Sequence, residues 1–289
     1  MKRTTQCMLL PFVITATTLH GAVYDISTAI TTFDPANDSL SNTGGVSNWT
    51  AGWADNTDFS NVDFTSLGLS EITVTTAAGT SAAVANYSGA NFNGLTITTS
   101  TGNNFFYNDN FSGASFVGST LNLTSVGASG NQPFVFADLS NADFSGATIN
   151  WNPFSDPDAD RINLFRDANL SGSIFTGATF NIQLDSTAGS YLGFFRSSES
   201  GSIDLSGVIF NFTGDTTIVS ELTSTMLEDL GTNAVIDQAF IDNNYATFGY
   251  SDVSEFSAEL ESNGISVPEP SGMILLILGS ITLFTRRSR

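Results

Sequence analysis

The segment Ala137-Asp-Leu-Ser-Asn-Ala-Asp-Phe-Ser-Gly-Ala147 repeats with a period of five, because Leu139 and Phe144 each follow an alanine by two positions. The period continues on both sides in four runs of large apolar residues. These runs are Phe59, Phe64, Leu69 and Val74; Phe106, Phe111, Phe116 and Leu121; Phe134, Leu139, Phe144 and Ile149; and Phe165, Leu170, Phe175 and Phe180. An amphipathic helix and an alternating strand both produce other periods. We therefore expect a repeating architecture.

The pattern A-[D/N]-[L/F]-S-[G/N] extends over roughly residues 57–212 and resembles pentapeptide-repeat proteins. The resemblance implies an all-β solenoid, a right-handed quadrilateral β-helix in which each side takes five residues. The centre residue and the small residue two positions before it then point inward. Coils stack about 4.8 Å apart, the usual spacing of hydrogen-bonded strands.

A longer repeat lies on top of the short one. The residues Phe64, Phe92, Phe116, Phe144, Phe175 and Leu205 are separated by 24 to 31 residues. Since the resemblance assigns about twenty residues to a coil, the remainder predicts inserted loops at 98–104, 125–132, 152–161 and 185–190. In solenoids, insertions at one register often form the binding face. We expect about six coils and a rod about 29 Å long.

Both flanks of the repeat change in character. Residues 23–56 are rich in Asn, Ser and Gly, and we expect an irregular N-terminal cap there. Within 213–266, residues 221–230 and 251–261 are predicted to form amphipathic helices of a small C-terminal helical cap. Ser251 or Asp252 would cap the second helix and Gly264 would end it. Such caps would cover the exposed strand edges of a solenoid.

Residues 1–22 have the layout of a secretory signal peptide. Lys2 and Arg3 precede an apolar stretch at 8–14, and the small residues Gly21 and Ala22 follow. We expect cleavage by signal peptidase after Ala22, and therefore export.

Residues 267–289 combine Val267, Pro268, Glu269 and Pro270 with an apolar run at 273–284 and a basic end. That end contains Arg286, Arg287 and Arg289. The layout resembles the PEP-CTERM sorting signal, which implies exosortase as a partner and a temporary transmembrane segment before processing. The arginines stay in the cytoplasm by the positive-inside rule. The resemblance implies a location at the cell envelope, cell surface or extracellular matrix of a Gram-negative bacterium. The alternative is an ordinary single-pass tail.

The composition of residues 23–267 excludes several kinds of chemistry. Cys7, His20 and Lys2 are the single residues of their types, and all three precede residue 23. Disulfides, thiol nucleophiles, imidazole bases and His-bound zinc are thereby excluded. Residues 23–267 contain three arginines and 27 acidic residues, because one of the 28 acidic residues of the chain, Glu269, lies in the tail. The net charge of this part is therefore about −24. Such a surface repels nucleic acid, which we exclude as a partner.

The run Asp156-Pro-Asp-Ala-Asp160 has the alternating carboxylates that begin calcium loops. Arg161 stands where such a loop needs Gly, and Asp167 occupies the position of the final Glu. We expect a solvated loop here and no cofactor. The alternative is that Asp156, Asp158 and Asp160 bind calcium.

These observations favour a protein that is not an enzyme. We expect a non-catalytic, acidic solenoid of the cell surface or of the exopolysaccharide and biofilm matrix, with exopolysaccharide as a partner. PEP-CTERM proteins are generally linked to such matrices, so the resemblance of the tail implies a matrix role for this chain. The alternatives are a carbohydrate-binding adhesin that uses Trp49, Trp53 and Trp151, and a matrix-acting glycosidase or lyase, for which no carboxylate pair is marked.

Overall fold

The computed structural model describes residues 23–25, 38–43, 48–51, 58–75, 85–101, 106–124, 133–152, 161–162, 164–184, 191–192, 194–195 and 201–268. The strands are β1 (Val23–Asp25), β2 (Ser39–Ser41), β3 (Asn48–Ala51), β4 (Glu71–Thr75), β5 (Thr96–Thr101), β6 (Thr120–Thr124), β7 (Thr148–Asn152), β8 (Arg161–Ile162), β9 (Thr179–Leu184), β10 (Tyr191–Leu192), β11 (Ile203–Asp204), β12 (Ile209–Gly214) and β13 (Ala234–Val235). The α-helices are α1 (Val219–Leu230), α2 (Gln238–Asn244) and α3 (Val253–Ser262), with 3₁₀ turns at Phe64–Leu67, Thr216–Ile218 and Gly231–Asn233.

The main sheet contains seven strands, all paired in parallel, in the order β12-β9-β7-β6-β5-β4-β3. From β4 to β12 the central residues of neighbouring strands lie 24 to 31 residues apart in the chain, as Ile97, Leu121 and Ile149 illustrate. Each of these neighbours is therefore reached after one complete circuit of the chain. The architecture is a parallel β-helix.

Two further ladders of parallel bridges run beside the main sheet. The first joins Asp58, Asn86, Asn110, Asp138 and Asn169, and the second joins Asp63, Asn91, Ser115, Asp143, Ile174 and Asp204. The corner between them needs a left-handed backbone, which Gly89 and Gly172 adopt with φ of 66° and 74°. Asn61 and Asn141 adopt it at the same corner of other coils, with φ of 58° and 57°.

The core consists of side chains stacked from coil to coil. The inward column formed by Phe64, Phe92, Phe116, Phe144 and Phe175 has ring centroids 4.6–4.9 Å apart. A second column stacks Phe106, Phe134, Phe165 and Phe195. All sixteen residues of the four predicted runs are buried, which confirms the prediction that the period of five marks the core. Stacked aromatic rings add to the hydrophobic gain of burial.

The N-terminal flank and the loops differ from the expectation. The segment expected to be irregular contains β1 and β2, which pair with each other, and β3, which adds a seventh strand to the sheet. Strand β5 continues to Thr101, so the first predicted loop is a strand for about half of its length. The first residues of a loop cannot be distinguished from a strand by composition when both are rich in Thr. Residues 125–132, 153–160 and 185–190 lie outside the described part.

Both predicted helices are present, as α1 and α3. Oδ1 of Asp252 accepts the N–H of Glu255 at 2.9 Å, which identifies Asp252 as the N-cap of α3. Gly264 follows the helix with φ of 80°. Helix α2 was not predicted, because its seven residues are too short to show a helical period.

Helix α2 contacts β12, the edge strand of the sheet, through a buried amide. Nδ2 of Asn244 donates to the carbonyl of Val208 at 2.7 Å, and its Oδ1 accepts the N–H of Phe210 at 2.8 Å. The side chain thus makes the bonds that a next strand would make with its backbone. Among the described residues, no helix is long and apolar enough to cross a lipid bilayer.

Candidate functional site

Two residues of the predicted sorting motif lie in the described part, and both follow the last helix. Ile265 is 1 % exposed and anchors the chain in the core, whereas Val267 and Pro268 are half-buried in a segment without regular secondary structure. Val267 still packs against the core cluster. Glu269, Pro270, Arg286, Arg287 and Arg289 lie outside the described residues.

The calcium candidates Asp156, Asp158 and Asp160 also lie outside the described residues, so their geometry stays a prediction. In the described segments, no group of three or more His, Cys, Asp or Glu side chains is arranged to hold a metal ion.

The hypothesis that Trp151 stacks on sugar rings is wrong. Trp151 is 1 % exposed and packs edge-on against Phe194, with ring centroids 5.6 Å apart. Its Nε1 is buried without a hydrogen-bond partner among the described residues. The strand alternation of β7 turns it inward, two positions after Ile149. Trp49 lies in β3, and Trp53 lies outside the described part.

Acidic side chains of the two bridge ladders are spaced apart. Asp138 and Asp143 each accept an N–H two residues on, from Ser140 at 3.0 Å and from Ser145 at 2.9 Å. In neither ladder do two carboxylates occupy neighbouring coils, because Asn, Ser or Ile stands between them. This spacing limits the repulsion between charges stacked along the axis. It also keeps these carboxylates from converging on one cation.

The outward side of the sheet carries a regular uncharged surface, which we name the Thr/Asn face. Its residues alternate with the buried ones along β5, β6, β7 and β9, and all are half-buried. The face consists of Thr96, Thr98, Thr120, Asn122, Thr148, Asn150, Thr179 and Asn181. The spacing Thr-x-Asn at 120–122, 148–150 and 179–181 is the sequence signal for this face. The face was not predicted, because the period of five identifies inward positions and these residues point outward.

One column of the Thr/Asn face is an amide ladder. Nδ2 of Asn150 donates to Oδ1 of Asn122 at 2.7 Å, and Nδ2 of Asn181 donates to Oδ1 of Asn150 at 2.7 Å. Asn211 of β12 extends the ladder with a bond of 2.9 Å to Asn181. Each amide is therefore held in one orientation by its neighbours.

A buried carboxyl lies inside the solenoid at Asp109. It is 5 % exposed and occupies the inward position where the adjacent coils have Ala85 and Ala137. Its Oδ1 accepts the N–H of Ala85 at 2.8 Å. Burial raises the pKa of Asp109 to about 8, and the bond from Ala85 opposes this. In the coils above, the equivalent N–H of Ala137 donates to the carbonyl of Phe134 instead. Asp109 thus supplies an acceptor to the preceding coil.

Exposed aromatic surface occurs at one corner of the described solenoid. Phe136 is 45 % exposed and contacts Tyr107 of the preceding coil edge-on, with centroids 5.3 Å apart. Arg166 follows in the next coil, where its Nε lies 3.2 Å from Oδ2 of Asp167. The N–H of Phe136 donates to the carbonyl of Arg166 at 3.1 Å, so the two residues occupy the same corner of adjacent coils.

No protein-family model matches the chain, and no curated protein matches it. Among solved structures, the chain is similar to full-length QnrB1, a plasmid-mediated fluoroquinolone resistance protein, at 16 % sequence identity and a TM-score of 0.23. The match covers 70 % of this chain and 96 % of that one. The fold assignment therefore depends on the coils and ladders described above.

Proposed function

We propose that the chain is an exported, exosortase-sorted, non-catalytic acidic β-solenoid of the cell surface or the exopolysaccharide matrix. Its solenoid is of the right-handed quadrilateral, pentapeptide-repeat type, with 57–212 as the solenoid and 213–266 as its helical cap. Four inward columns support the quadrilateral form: those of Phe59, Phe64, Ile72 and Phe106. The amide of Asn244 at β12 supports the cap.

The observation that carries the sorting proposal is where the folded body ends. Ile265 is the last buried residue of the described part, and the motif from Val267 to Pro270 begins two residues later. The prolines disfavour helix at this junction and favour an extended strand, which a protease can bind. Signal peptidase at the other end and removal of 267–289 would leave the acidic solenoid outside the inner membrane.

The non-catalytic assignment is supported by how the acids are used. The ladder carboxylates accept hydrogen bonds from their own turns, and the one carboxyl of the described part with a strongly raised pKa, Asp109, is enclosed in the core. A general acid must reach its substrate. Matrix retention by calcium, through the acids at 156–160, remains part of this proposal.

The sorting proposal is tested in the producing bacterium by deleting residues 268–289. We expect the deleted protein to appear in the culture medium, whereas the full chain stays with the envelope or matrix, as measured by immunoblot of the fractions. A matched control replaces Ser288 by Ala, which leaves the prolines and arginines in place. Continued envelope retention of the deleted protein would contradict the proposal.

The matrix proposal is tested by co-sedimentation of the protein with the producer's exopolysaccharide, with and without calcium, while new saccharide ends are measured. Binding without new ends supports a matrix component, and loss of binding in chelator assigns it to the acidic residues. New reducing ends or unsaturated uronates would contradict the non-catalytic assignment.

A carbohydrate-binding adhesin is the second candidate, now favoured by the exposed ring of Phe136 and its half-buried neighbour Tyr107 rather than by Trp151. Phe136→Ala would weaken binding to the exopolysaccharide in that case, whereas Val117→Ala, at another exposed apolar position, would not. Equal binding by both variants and the unaltered chain contradicts the adhesin.

A further inference from the structure

The Thr/Asn face is uncharged on a molecule whose formal net charge is −20. Charged residues lie on the two bridge ladders, at Asp58, Asp138 and Asp143 for example. On the sheet, Glu71 of β4 occupies the outward column that continues as Thr96 and Thr120, at the end of the face. The ligand that complements this face in charge is therefore itself uncharged.

The face is regular in both directions. Strand register places Thr120, Thr148 and Thr179 in one row along the axis, with rows of amides beside them. Successive positions in a row are about 4.8 Å apart, and the two rows are separated by two residues of strand, about 6.6 Å. The amide ladder fixes the second row.

Aromatic stacks and an amide ladder join successive coils of the face. The rings of Phe116 and Phe144 are 1° from parallel, and those of Phe144 and Phe175 are 5° from parallel. Strands in ordinary sheets twist by about 20–25° from one to the next. Untwisted sheets are typically stabilised by stacking or side-chain ladders. The ring stacks and the amide ladder are contacts of this kind, and they support a flat Thr/Asn face.

The composition of the face disfavours the common macromolecular partners. Protein interfaces are anchored most often by Trp, Tyr or Arg, and nucleic acid is bound mainly through basic side chains. Saccharides are commonly held by aromatic stacking, and the eight residues of the face include no ring. What remains is a flat, periodic, uncharged ligand that donates and accepts hydrogen bonds.

Crystalline water has these properties. The surface of ice presents rows of oxygen atoms at a repeat close to the strand spacing, and each oxygen donates and accepts hydrogen bonds. A threonine hydroxyl also does both, and its methyl group releases water favourably on contact. We propose that the Thr/Asn face binds the surface of ice.

The test is to grow ice slowly in a solution of the full-length chain and to measure the protein in the ice and in the liquid by tryptophan absorbance. The reference is an inert protein of similar size. We expect the chain to be enriched in the ice, and Thr120→Lys and Thr148→Lys to lose this enrichment to the level of the reference. The matched control is Thr176→Lys, on an exposed position beside Asp204 outside the face.

Circular dichroism and thermal melting establish that each variant is folded, and Thr120→Lys alone is compared with Thr176→Lys if Thr148→Lys fails to fold. Exclusion of the unaltered chain from ice, or equal loss in Thr176→Lys, would overturn the proposal. Binding to powdered cellulose or chitin that depends on Thr148, without ice enrichment, would also overturn it and would make the face a site for uncharged glycan. Neither result bears on sorting, which is tested separately by the tail deletion.

Discussion

At the scale of single residues, a small residue is usual two positions before a core aromatic, although Val62 precedes Phe64 and Ser173 precedes Phe175. Ala90, Ala114 and Ala142 occupy this position on one side of the coil and are fully buried. Asp109 breaks the rule at an equivalent position on another side. Its carboxyl is tolerated because it accepts the N–H of Ala85. The coil that contains Ala85 has three large apolar residues at the period of five, Tyr87, Phe92 and Ile97, whereas the four predicted runs have four each. A buried polar group without such a partner would be costly.

Asp109 predicts a pH dependence of stability. Its pKa rises from the model-compound value of 3.8 to about 8 on folding, so between these values the unfolded chain releases a proton that the folded chain retains. The Asp109 contribution to the free energy of unfolding therefore falls as pH rises from about 4 to about 8, with a slope of up to about 1.4 kcal/mol per pH unit, and levels off above.

Asp109→Asn should remove this part of the slope while keeping an acceptor for Ala85. Urea unfolding of both proteins between about pH 5 and about pH 9 measures the difference in slope. Asp109→Ala should lose the slope too, and should be less stable than the Asn variant at all pH values by about 1–3 kcal/mol, since the N–H of Ala85 loses its acceptor. An unchanged slope in both variants would show that Asp109 is ionised in the folded chain.

At the scale of elements, the strands of the main sheet are joined by side chains as well as by backbone. The ladder from Asn122 to Asn211 adds one amide bond per coil, parallel to the backbone bonds. Such a ladder needs strands in register, since a shift by one residue would place the amides inside and the apolar residues outside.

Asn150→Ala should lower the free energy of unfolding by about 1–3 kcal/mol, because two ladder bonds are lost. Asn211→Ala is the matched control at the end of the ladder, where one bond is lost, and it should cost about half as much. Thermal and urea unfolding measure both. Equal costs for the two positions would show that the ladder contributes no stability of its own.

At the scale of the whole molecule, the solenoid must end without recruiting further strands. Strand β12 is the edge of the sheet on the C-terminal side. Asn244 pairs with the backbone of Val208 and Phe210 there, while Phe240 and Phe248 contact the ring of Phe210. An uncovered edge of this kind would pair with another chain.

Asn244→Ala should therefore have two effects. The free energy of unfolding should fall by about 3 kcal/mol or more, since buried backbone groups lose their partners, and the protein should form oligomers at raised concentration, as measured by light scattering after size-exclusion chromatography. Asn243→Ala, at the exposed neighbouring residue, should remain monodisperse and nearly as stable as the unaltered chain. A monodisperse Asn244→Ala protein would mean that the helices cover the edge without this amide.

The core could be predicted from the sequence, since a period of five over four runs identified sixteen buried residues, and two helices could be predicted from their periodicity and caps. These features are local, because inward direction and helix formation depend on residues a few positions apart. The three-dimensional fold was needed to show which outward residues share a face and that Trp151 points inward. It was also needed to show that Asn244 contacts β12, at Phe210, 34 residues away in the chain. Those contacts depend on the number of residues in each coil, because this number decides which residues lie next to each other in adjacent coils. The number varies from coil to coil.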